Sequence, residues 1–437
     1  DPGNRGVIVV DVPTDSVDHP TGGPEFGRQR RRAPGRRPPP GRIALGSVAL
    51  ALALVGGACG SDGDDGGSSP TVDGGTGSPT PGGSLTYGLE GETSGGWCPS
   101  TAQFAVSGIQ VANSIFDRLM VLDENREPQP YLAETYTASD DFTTHTFVLR
   151  EGITFHDGSP LDADVVALNF NVGRGEPAAL ERTGLQPLIF PILFRDVDSV
   201  VATDERTVVV TTSQPWPALP SYVANGRFVI AAEAQLMAGP DGCADEPIGT
   251  GPFRLLEWTR NEQMVLEKNQ SYWRTDESGT PLPYLDELIF KPVIGSANRF
   301  DALDGGSLDA GHWNNQFVFD DIQAEPDRFS LFEEPDGYRE VAYGMINHDR
   351  EPLNDQETRI AIRQAIDPDA LRQISNGGAW DLANGPFDTQ VMGYVEDTGM
   401  AGYDPDAAAE VLDGSNLTLV VGYSEDPLNA EMARDIK

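Results

Sequence analysis

Residues 142–158 read FTTHTFVLREGITFHDG, and this stretch decides the class of fold. The run FTTHTFVL predicts a strand over 142–149, and Glu151-Gly152 supplies the turn that follows it. A short apolar run comes next, and a second turn ends at Gly158, where we expect a backbone geometry that other residues resist. Asp162 then precedes an apolar run and is predicted to cap a helix at its N-terminus. The chain therefore passes from paired strands directly into a helix.

Strands and helices continue to alternate on both sides of this stretch. Residues 84–89 alternate as in a strand, and Val111, Ile115 and Leu119 have the spacing of one helix face. No internal repeat is visible, and the interleaved order indicates an α/β or α+β class. The further predicted elements are strands at 84–89, 197–201 and 207–211, and helices over 104–119, from Asp355 through Ile366 and from Asp404.

The composition is that of a globular protein with an unusually acidic surface. The 437 residues include 30 Lys and Arg against 68 Asp and Glu, for a formal net charge of −38. Such a surface repels phosphate backbones, which argues against nucleic-acid binding. Acid pairs such as Asp140-Asp141 are expected on a solvated face in so acidic a chain and do not indicate catalysis. The length predicts two or three lobes rather than one core.

An export signal is predicted near the start of the chain. Residues 28–42 hold seven arginines and no acid, and residues 43–55, IALGSVALALALV, are apolar. Small residues then lead to Cys59, as in a secretory signal whose apolar part is too short to span a bilayer. A cysteine at the cleavage point resembles the bacterial lipobox. We therefore predict that Cys59 is lipidated and anchors the exported chain to the outer face of the cell membrane, with plain cleavage as the alternative.

The segments around this signal are expected to lack a core. Residues 1–40 are rich in Pro and Arg and show no apolar period, so they are predicted to be disordered or to precede the true start of translation. Residues 1–58 are accordingly interpreted as an N-terminal extension with the signal. Residues 59–83 are dominated by Gly, Ser and Pro and predict a flexible tether.

The other two cysteines lie in the predicted folded part. An exported chain tolerates disulfides, so a bridge between Cys98 and Cys243 is predicted, and two separate buried thiols are the alternative. No CxxC pair and no Cys/His spacing accompanies them. A metal site is therefore not expected.

From about residue 82 the chain carries short motifs whose order is distinctive although each alone is weak. They are DRL (117–119), PYLAE (130–134), FVLREGITFHDG (147–158), IGTGPF (248–253), KNQSYW (268–273), YLDELIF (284–290), GSLDA (306–310), RIAIRQAID (359–367) and YDPDAA (403–408). In this order they resemble the bacterial extracellular solute-binding proteins of family 5, which bind peptides, nickel complexes or related solutes for ABC importers.

The resemblance implies an α/β, two-lobed clamshell of the type II periplasmic-binding-protein class. Lobe one would comprise 84–112 and 239–311, residues 113–238 would be a subdomain inserted into it, and 312–437 would belong to lobe two. A peptide or similar solute would bind between the lobes, and hinge closure would present it to the permease subunits of the importer. The resemblance implies a monomer that needs no cofactor and performs no catalysis.

Three segments are implied to line the ligand pocket: the loop after the first strand, the first crossing into lobe two and a lobe-two strand. Aromatic faces combined with amides suit a peptide backbone. For Phe104 and Tyr343 a place in the core is the alternative. The implied ligand-binding residues are Glu92, Trp97, Thr101, Phe104, Trp313, Asn314, Asn315, Tyr343, Met345 and Asn347.

Other functions stay open at this point. Nickel complexes, haem and oligosaccharides remain alternative ligands, and an exported peptidase or glycosidase is the main alternative class. His156 beside Asp157 is not expected to be catalytic, because neighbours in a strand point apart and no GxSxG motif is present. The Gly-rich 249–251 lacks the lysine of a P-loop and is interpreted as a tight turn. A sensory receptor would need a transmembrane span and a signalling domain, and neither is visible.

Overall fold

The structure is a computed structural model of the chain. It describes residues 8–11, 79–93, 95–102, 104–313, 316–332, 341, 343–378, 381–387, 389, 394–413 and 417–422. Two units are distinguished, residues 1–12 with 76–437 and residues 13–75, and the second lies outside the described residues. The predicted signal and Cys59 fall in that second unit, so both stay predictions.

The secondary structure alternates between strands and helices, as the sequence pattern indicates. The strands are β1 (Ile8–Asp11), β2 (Ser84–Leu89), β3 (Met120–Leu122), β4 (Pro128–Pro130), β5 (Ala133–Ala138), β6 (Thr144–Leu149), β7 (Val197–Ala202), β8 (Thr207–Thr212), β9 (Phe253–Thr259), β10 (Gln263–Lys268), β11 (Glu287–Pro292), β12 (Ala310–Gly311), β13 (Gly344–Ile346) and β14 (Val420–Gly422). The helices are α1 (Val106–Ile115), α2 (Ala163–Gly173), α3 (Pro177–Thr183), α4 (Phe190–Leu193), α5 (Leu219–Ala224), α6 (Glu233–Met237), α7 (Gly239–Asp245), α8 (Ser296–Asp304), α9 (Gln316–Ala324), α10 (Gln356–Ala365), α11 (Pro368–Asn376) and α12 (Pro405–Leu412).

A five-stranded mixed sheet has the order β12-β2-β11-β10-β9. β2 pairs in parallel with β11 and with β12, whereas β10 is antiparallel to β11 and to β9. The register sets Leu85 beside Leu288 and Tyr87 beside Phe290. In the sequence, β2 precedes residues 113–238 and the other four strands of this sheet follow them. Residues 113–238 therefore lie, along the chain, between two parts of one sheet.

A four-stranded antiparallel sheet of order β5-β6-β8-β7 lies wholly within residues 113–238. β6 alternates half-buried and buried residues, and it starts at Thr144 rather than at the predicted Phe142, because Phe142 has a φ of 53°, outside the range of a strand. α2 packs on β7 and β8. Its predicted cap is present, since the Asp162 carboxylate accepts a hydrogen bond of 2.9 Å from the Val165 N–H.

Two apolar cores hold residues 79–313 together. One fills the space between the four-stranded sheet and α2, and its centre is an aromatic cluster of Phe170, Phe194 and Phe228. The other joins the five-stranded sheet to α1 and includes Leu168 and Val172 on the opposite side of α2. The second core therefore takes side chains from the predicted inserted segment as well as from predicted lobe one.

A small three-stranded sheet of order β13-β1-β14 combines β13 and β14, from residues 316–422, with β1 from residues 8–11. β1 is parallel to β13 and antiparallel to β14. The disorder predicted for residues 1–40 is therefore wrong for Ile8–Asp11. Helices α10 and α12 begin at Asp355 and Asp404 as predicted, and each cap carboxylate accepts a backbone N–H. Within the described residues, no helix is both long and apolar enough to cross a membrane.

Candidate functional site

The carboxyl ends of the parallel strands β11, β2 and β12 meet at one edge of the five-stranded sheet. Ligands of open α/β sheets bind in the crevice at this kind of edge, because the loops diverge there. Glu90 follows β2 directly and His312 follows β12 directly, and the two segments are joined by a His312 N–H to Gly88 carbonyl bond of 3.4 Å. This edge is the candidate functional site.

Glu90 and His312 face each other across the strand ends. The Nδ1–H of His312 donates to Oε1 of Glu90 at 3.2 Å, because a carboxylate only accepts hydrogen bonds. Arg299 lies behind the pair, with Nη2 at 3.9 Å from the same oxygen. Its Nε and Nη1 donate to the carbonyls of His312 and Val293 at 2.8 and 2.9 Å. Arg299 is buried, so the site is a partly exposed carboxylate held between two basic groups.

Trp313 supports this site from the side of the small helices. Its indole Nε1 donates to the Ser296 carbonyl at 3.1 Å, and the Arg299 guanidinium lies 5.5 Å from the ring centroid. The side chain packs with Val318 and Ile322 and is 8% exposed. Trp313 therefore lies beside the predicted crossing but is largely a packing residue. Asn314 and Asn315, the other two predicted residues of this segment, lie outside the described residues.

Glu92 lies in the predicted loop, but its carboxylate already has partners within the chain. Oε1 accepts the indole N–H of Trp258 at 2.9 Å, and Oε2 accepts the backbone N–H of Asn261. Both partners belong to the β9–β10 hairpin. Glu92 consequently attaches the loop after β2 to that hairpin, which is a structural role.

Trp97 and Phe104 were predicted to line the pocket, but the structure buries them both in the core. Each is 2% exposed, and their rings stack at 6.0 Å. The reason is the predicted disulfide, which the structure contains: Cys98 is bonded to Cys243 and draws the loop back over the sheet. Thr101 is half-buried and its hydroxyl donates to the Cys98 carbonyl at 3.5 Å. The aromatic side chains of this loop therefore pack in the core, which is the alternative stated for Phe104, and do not line a pocket.

The three predicted residues of the later strand are accessible to a ligand. Tyr343 and Met345 are 52% and 50% exposed, which contradicts the alternative that Tyr343 is a core residue. The Asn347 side-chain carbonyl accepts the backbone N–H of Asp349 at 3.2 Å, as in a turn. No contact recorded among the described residues links these three to Glu90, so their role as ligand contacts stays a prediction.

Sequence reasoning missed Glu90, His312 and Arg299. A signal for Glu90 was present, because it directly follows the predicted strand 84–89, whereas His312 follows β12, a two-residue strand that was not predicted. For Arg299 there was none: a charged residue on a predicted helix is usually solvated, and its burial depends on the distant His312 and Val293 carbonyls. Among the described residues no group of three or more His, Cys, Asp or Glu is placed to hold a metal ion.

His156 lies in a polar junction beneath the GTGPF turn and not in a catalytic arrangement. Its Nδ1 accepts the Gly249 N–H at 3.3 Å and its Nε2–H donates to the Gly251 carbonyl at 3.0 Å. Burial lowers the pKa of His156 to about 4, and the positive charge of Arg254 acts in the same direction. The imidazole is therefore neutral and fixes the turn, as the non-catalytic interpretation of this motif requires.

Asp117 occupies the same junction from the end of α1. Its carboxylate accepts hydrogen bonds from Thr250 Oγ1 at 2.9 Å, Trp273 Nε1 at 3.0 Å and Tyr272 Oη at 3.3 Å. Burial raises the pKa of Asp117, and these three donors oppose that effect. One buried carboxylate thus links the DRL, GTGPF and NQSYW motifs through hydrogen bonds. The polar residues of these motifs therefore have a structural role.

The fold and the strand-end site define a periplasmic-binding-protein architecture of the type II class. The chain belongs to the bacterial extracellular solute-binding proteins of family 5, whose family model matches residues 127–430. The model represents the middle part of these proteins.

Individual relatives agree with this assignment. The glutathione-binding protein GsiB of Pectobacterium atrosepticum is 28% identical over 302 residues, covering 69% of this chain and 55% of that protein. The Escherichia coli K12 protein of the same name is 28% identical over 309 residues, 69% of this chain and 56% of its own length. The chain therefore spans little more than half the length of the curated relatives it matches.

Solved structures show the same fold. The periplasmic binding protein DppA of Helicobacter pylori, in complex with the peptide STSA, superposes with a TM-score of 0.65 at 22% identity, over 77% of this chain and 67% of that one. NikZ of Campylobacter jejuni, in complex with Ni(L-His), gives 0.64 at 21% identity, over 81% and 70%. At these identities the likeness establishes the two-lobed fold alone.

Proposed function

We propose that this chain is the ligand-capturing part of a solute-binding protein that delivers a peptide or peptide-like solute to an ABC importer. The observation that carries the proposal is the family match over residues 127–430, together with the charged strand-end site of the family's fold. The glutathione-binding relatives and the peptide-bound neighbour support a ligand of this class.

Glu90 and His312 are the proposed ligand contacts of this part of the site. Both side chains are 17% exposed, so they are reachable yet partly desolvated, and they present an acceptor and a donor side by side. A peptide needs both kinds of partner, because its ammonium and amide groups donate while its carbonyls accept. Arg299 fixes the pair from beneath, which reduces the ordering cost of binding.

The proposed mechanism is capture by closure of two lobes. A ligand that contacts both lobes binds the closed state better and shifts the population toward it. The permease subunits would then recognise the closed, loaded form. No bond of the ligand is broken in this cycle, so catalysis is not part of the proposal.

The proposed location is the outer face of the cell membrane, with the acylated Cys59 as anchor and residues 60–83 as tether. The support is the arginine-rich segment and apolar stretch that precede Cys59 in the sequence. In cells expressing the full gene, Cys59→Ala should release the protein from the membrane fraction into the medium. Unchanged retention of the variant would count against the anchor.

The experiment that tests the function is a thermal-shift screen with di- to pentapeptides, glutathione, nickel–histidine, haem and oligosaccharides. A ligand at about 100 times its dissociation constant adds roughly 2.7 kcal/mol to the stability of the folded state. We expect a shift with peptides or glutathione that Glu90→Gln reduces. Glu257→Gln, the same change at an exposed position on β9, is the matched control and should keep the full shift.

Other outcomes would redirect the proposal. A shift with only nickel–histidine, haem or a sugar would retain the binding function and replace the ligand class. A folded, unoccupied protein that responds to nothing, but hydrolyses peptides or glycosides, would overturn the proposal in favour of an exported hydrolase.

A further inference from the structure

A pocket of about 690 Å³ opens beside the β3–β4 hairpin, away from the strand-end site, and three arginines line it. Arg118 precedes β3, Arg150 follows β6 and Arg274 lies after the NQSYW motif. Tyr131 and Trp273 form the aromatic part of the wall. None of these residues belongs to the strand-end site, so the pocket has no part in the function proposed above.

Each arginine is held in place by at least one of its N–H groups. Arg118 Nη1 donates to the Ala224 carbonyl at 2.9 Å, and Arg150 Nε donates to the Tyr131 carbonyl at 2.6 Å. Arg274 Nη1 donates to the Tyr131 hydroxyl at 3.0 Å. Because a guanidinium has five N–H donors in a fixed fork, each side chain keeps further donors available to the pocket.

In the described part of the chain, no carboxylate forms an ion pair with any of these three arginines. Within the part of the chain that the structure describes, the ion pairs involve other arginines, such as Arg206 and Arg328, and not these three. Asp117 lies near Arg274, but its hydrogen bonds go to a threonine, a tyrosine and a tryptophan rather than to an arginine. One buried carboxylate against three guanidinium groups leaves a net positive pocket.

The wall of the pocket is fixed by contacts that do not depend on a ligand. The hydroxyls of Tyr131 and Tyr272 are 3.0 Å apart, and the Trp273 indole is bonded to Asp117. The guanidinium carbons of Arg150 and Arg274 lie 5.4 Å from the Trp273 centroid and 5.0 Å from the Tyr131 centroid. Stacked and hydrogen-bonded arginines lose little freedom when they bind an anion, so the pocket is organised in advance.

We propose that this pocket binds the phosphate group of a small organic phosphate through Arg118, Arg150 and Arg274. Paired N–H groups of a guanidinium match two oxygens of a phosphate, and such charge-assisted bonds are about twice as strong as neutral ones. The chain carries a net charge of −38, so an anion gains a favourable contact only where cations are fixed together. The volume exceeds that of phosphate itself and leaves room for an organic substituent.

The test is calorimetric titration of the folded full-length protein at constant ionic strength, with chloride as the reference anion. The probes are inorganic phosphate, glycerol 3-phosphate and monomeric dihexanoyl-phosphatidylglycerol. We expect saturable binding that Arg150→Gln and Arg274→Gln each weaken about tenfold or more, as the loss of charge-assisted hydrogen bonds predicts. Arg195→Gln removes the same charge at a site that is 75% exposed and outside the pocket, and should bind as the unmodified protein does.

The probes also separate two sources of the phosphate group. Tighter binding of the short-chain lipid than of glycerol 3-phosphate assigns the pocket to lipid headgroups, and the reverse order assigns it to soluble phosphomonoesters. Arg274 is exposed, so its replacement is the variant least expected to disturb folding. The proposal is overturned if no probe binds beyond chloride, or if both pocket variants bind as tightly as the Arg195→Gln control.

Discussion

Residues 79–313 and the described part of residues 316–422 differ in how completely they bury apolar side chains. The first region closes two large cores around its two sheets. In the second, the buried cores are small: Leu353 and Ile362 form one, and Val318 and Ile322 pack with Trp313 in another, while side chains such as Phe332 and Tyr343 are exposed. Burying a large apolar side chain contributes about 1.5–3 kcal/mol. Among the described residues, most of the stabilisation from apolar burial therefore comes from the first region.

The same difference bears on function. A clamshell needs one lobe rigid enough to hold its part of the site while the other moves. The Glu90–His312 pair is fixed by Arg299, which is buried at the sheet edge of the first region. The exposed Tyr343 and Met345 of the second region have no such support recorded among the described residues. The rigid half of the proposed ligand site is therefore the half built on parallel strands.

The largest effect is expected from emptying the first region's core. Phe170 is fully buried between Phe194 and Phe228, so Phe170→Ala should lower the free energy of unfolding by about 3–5 kcal/mol. Ile362→Ala, in a small core of the second region, should lower it by about 2 kcal/mol, the low end for this change, because its surroundings relax more easily. Urea unfolding followed by circular dichroism measures both. Equal losses would contradict the comparison, and Ile192→Ala, 70% exposed, is the neutral control.

The disulfide should have the next largest effect. Cys98 and Cys243 are separated by 145 residues, and closing a long loop reduces the entropy of the unfolded chain. Replacing both by Ala should lower the free energy of unfolding by about 2–4 kcal/mol. Denaturation with and without reductant checks this, since the double variant must be insensitive to reductant. Mass spectrometry that finds both thiols free in the oxidised protein would remove the basis of the prediction.

Local patterns predicted the elements of both regions well. β2 begins and ends at the predicted residues, and the caps at Asp162, Asp355 and Asp404 all form. Gly158 has a φ of 86°, the geometry expected for it. These features depend on residues close together in the chain, so a single sequence contains their causes.

The site was harder to predict because side-chain exposure depends on distant contacts. Trp97 looks like a binding residue in a loop, yet Cys243 and Trp258, far along the chain, place it in the core. Glu92 is attached to a hairpin more than 160 residues away. Parallel pairing of β2 with β12, which brings Glu90 to His312, involves more than 200 intervening residues, and no local pattern encodes such a pairing.

Asp117 tests how much the buried polar junction contributes to the stability of the first region. Asp117→Ala leaves the Trp273 indole and the Thr250 hydroxyl without their buried acceptor, so we expect a loss of about 1–3 kcal/mol. Asp117→Asn keeps one acceptor oxygen and should lose less. Urea unfolding compares the two variants, and an alanine variant as stable as the unmodified protein would show that water replaces the carboxylate without cost.

At neutral pH the smallest effect is that of the His156 imidazole at the same junction, which changes stability only as the pH falls. The pKa of His156 is lowered to about 4, mainly by burial, from the usual value near 6.5. A group whose pKa is lower in the folded state takes up protons more readily when unfolded, so its contribution to stability is complete above about pH 6.5 and is lost as the pH falls toward 4. The slope for one proton is at most about 1.4 kcal/mol per pH unit.

His156→Gln can keep both backbone hydrogen bonds without titrating, so its stability should fall less between pH 6.5 and 4. His348→Gln, at a largely exposed histidine of the second region, is the matched control. If His156→Gln and His348→Gln gave the same dependence on pH, the junction would not be the source of acid sensitivity in the first region.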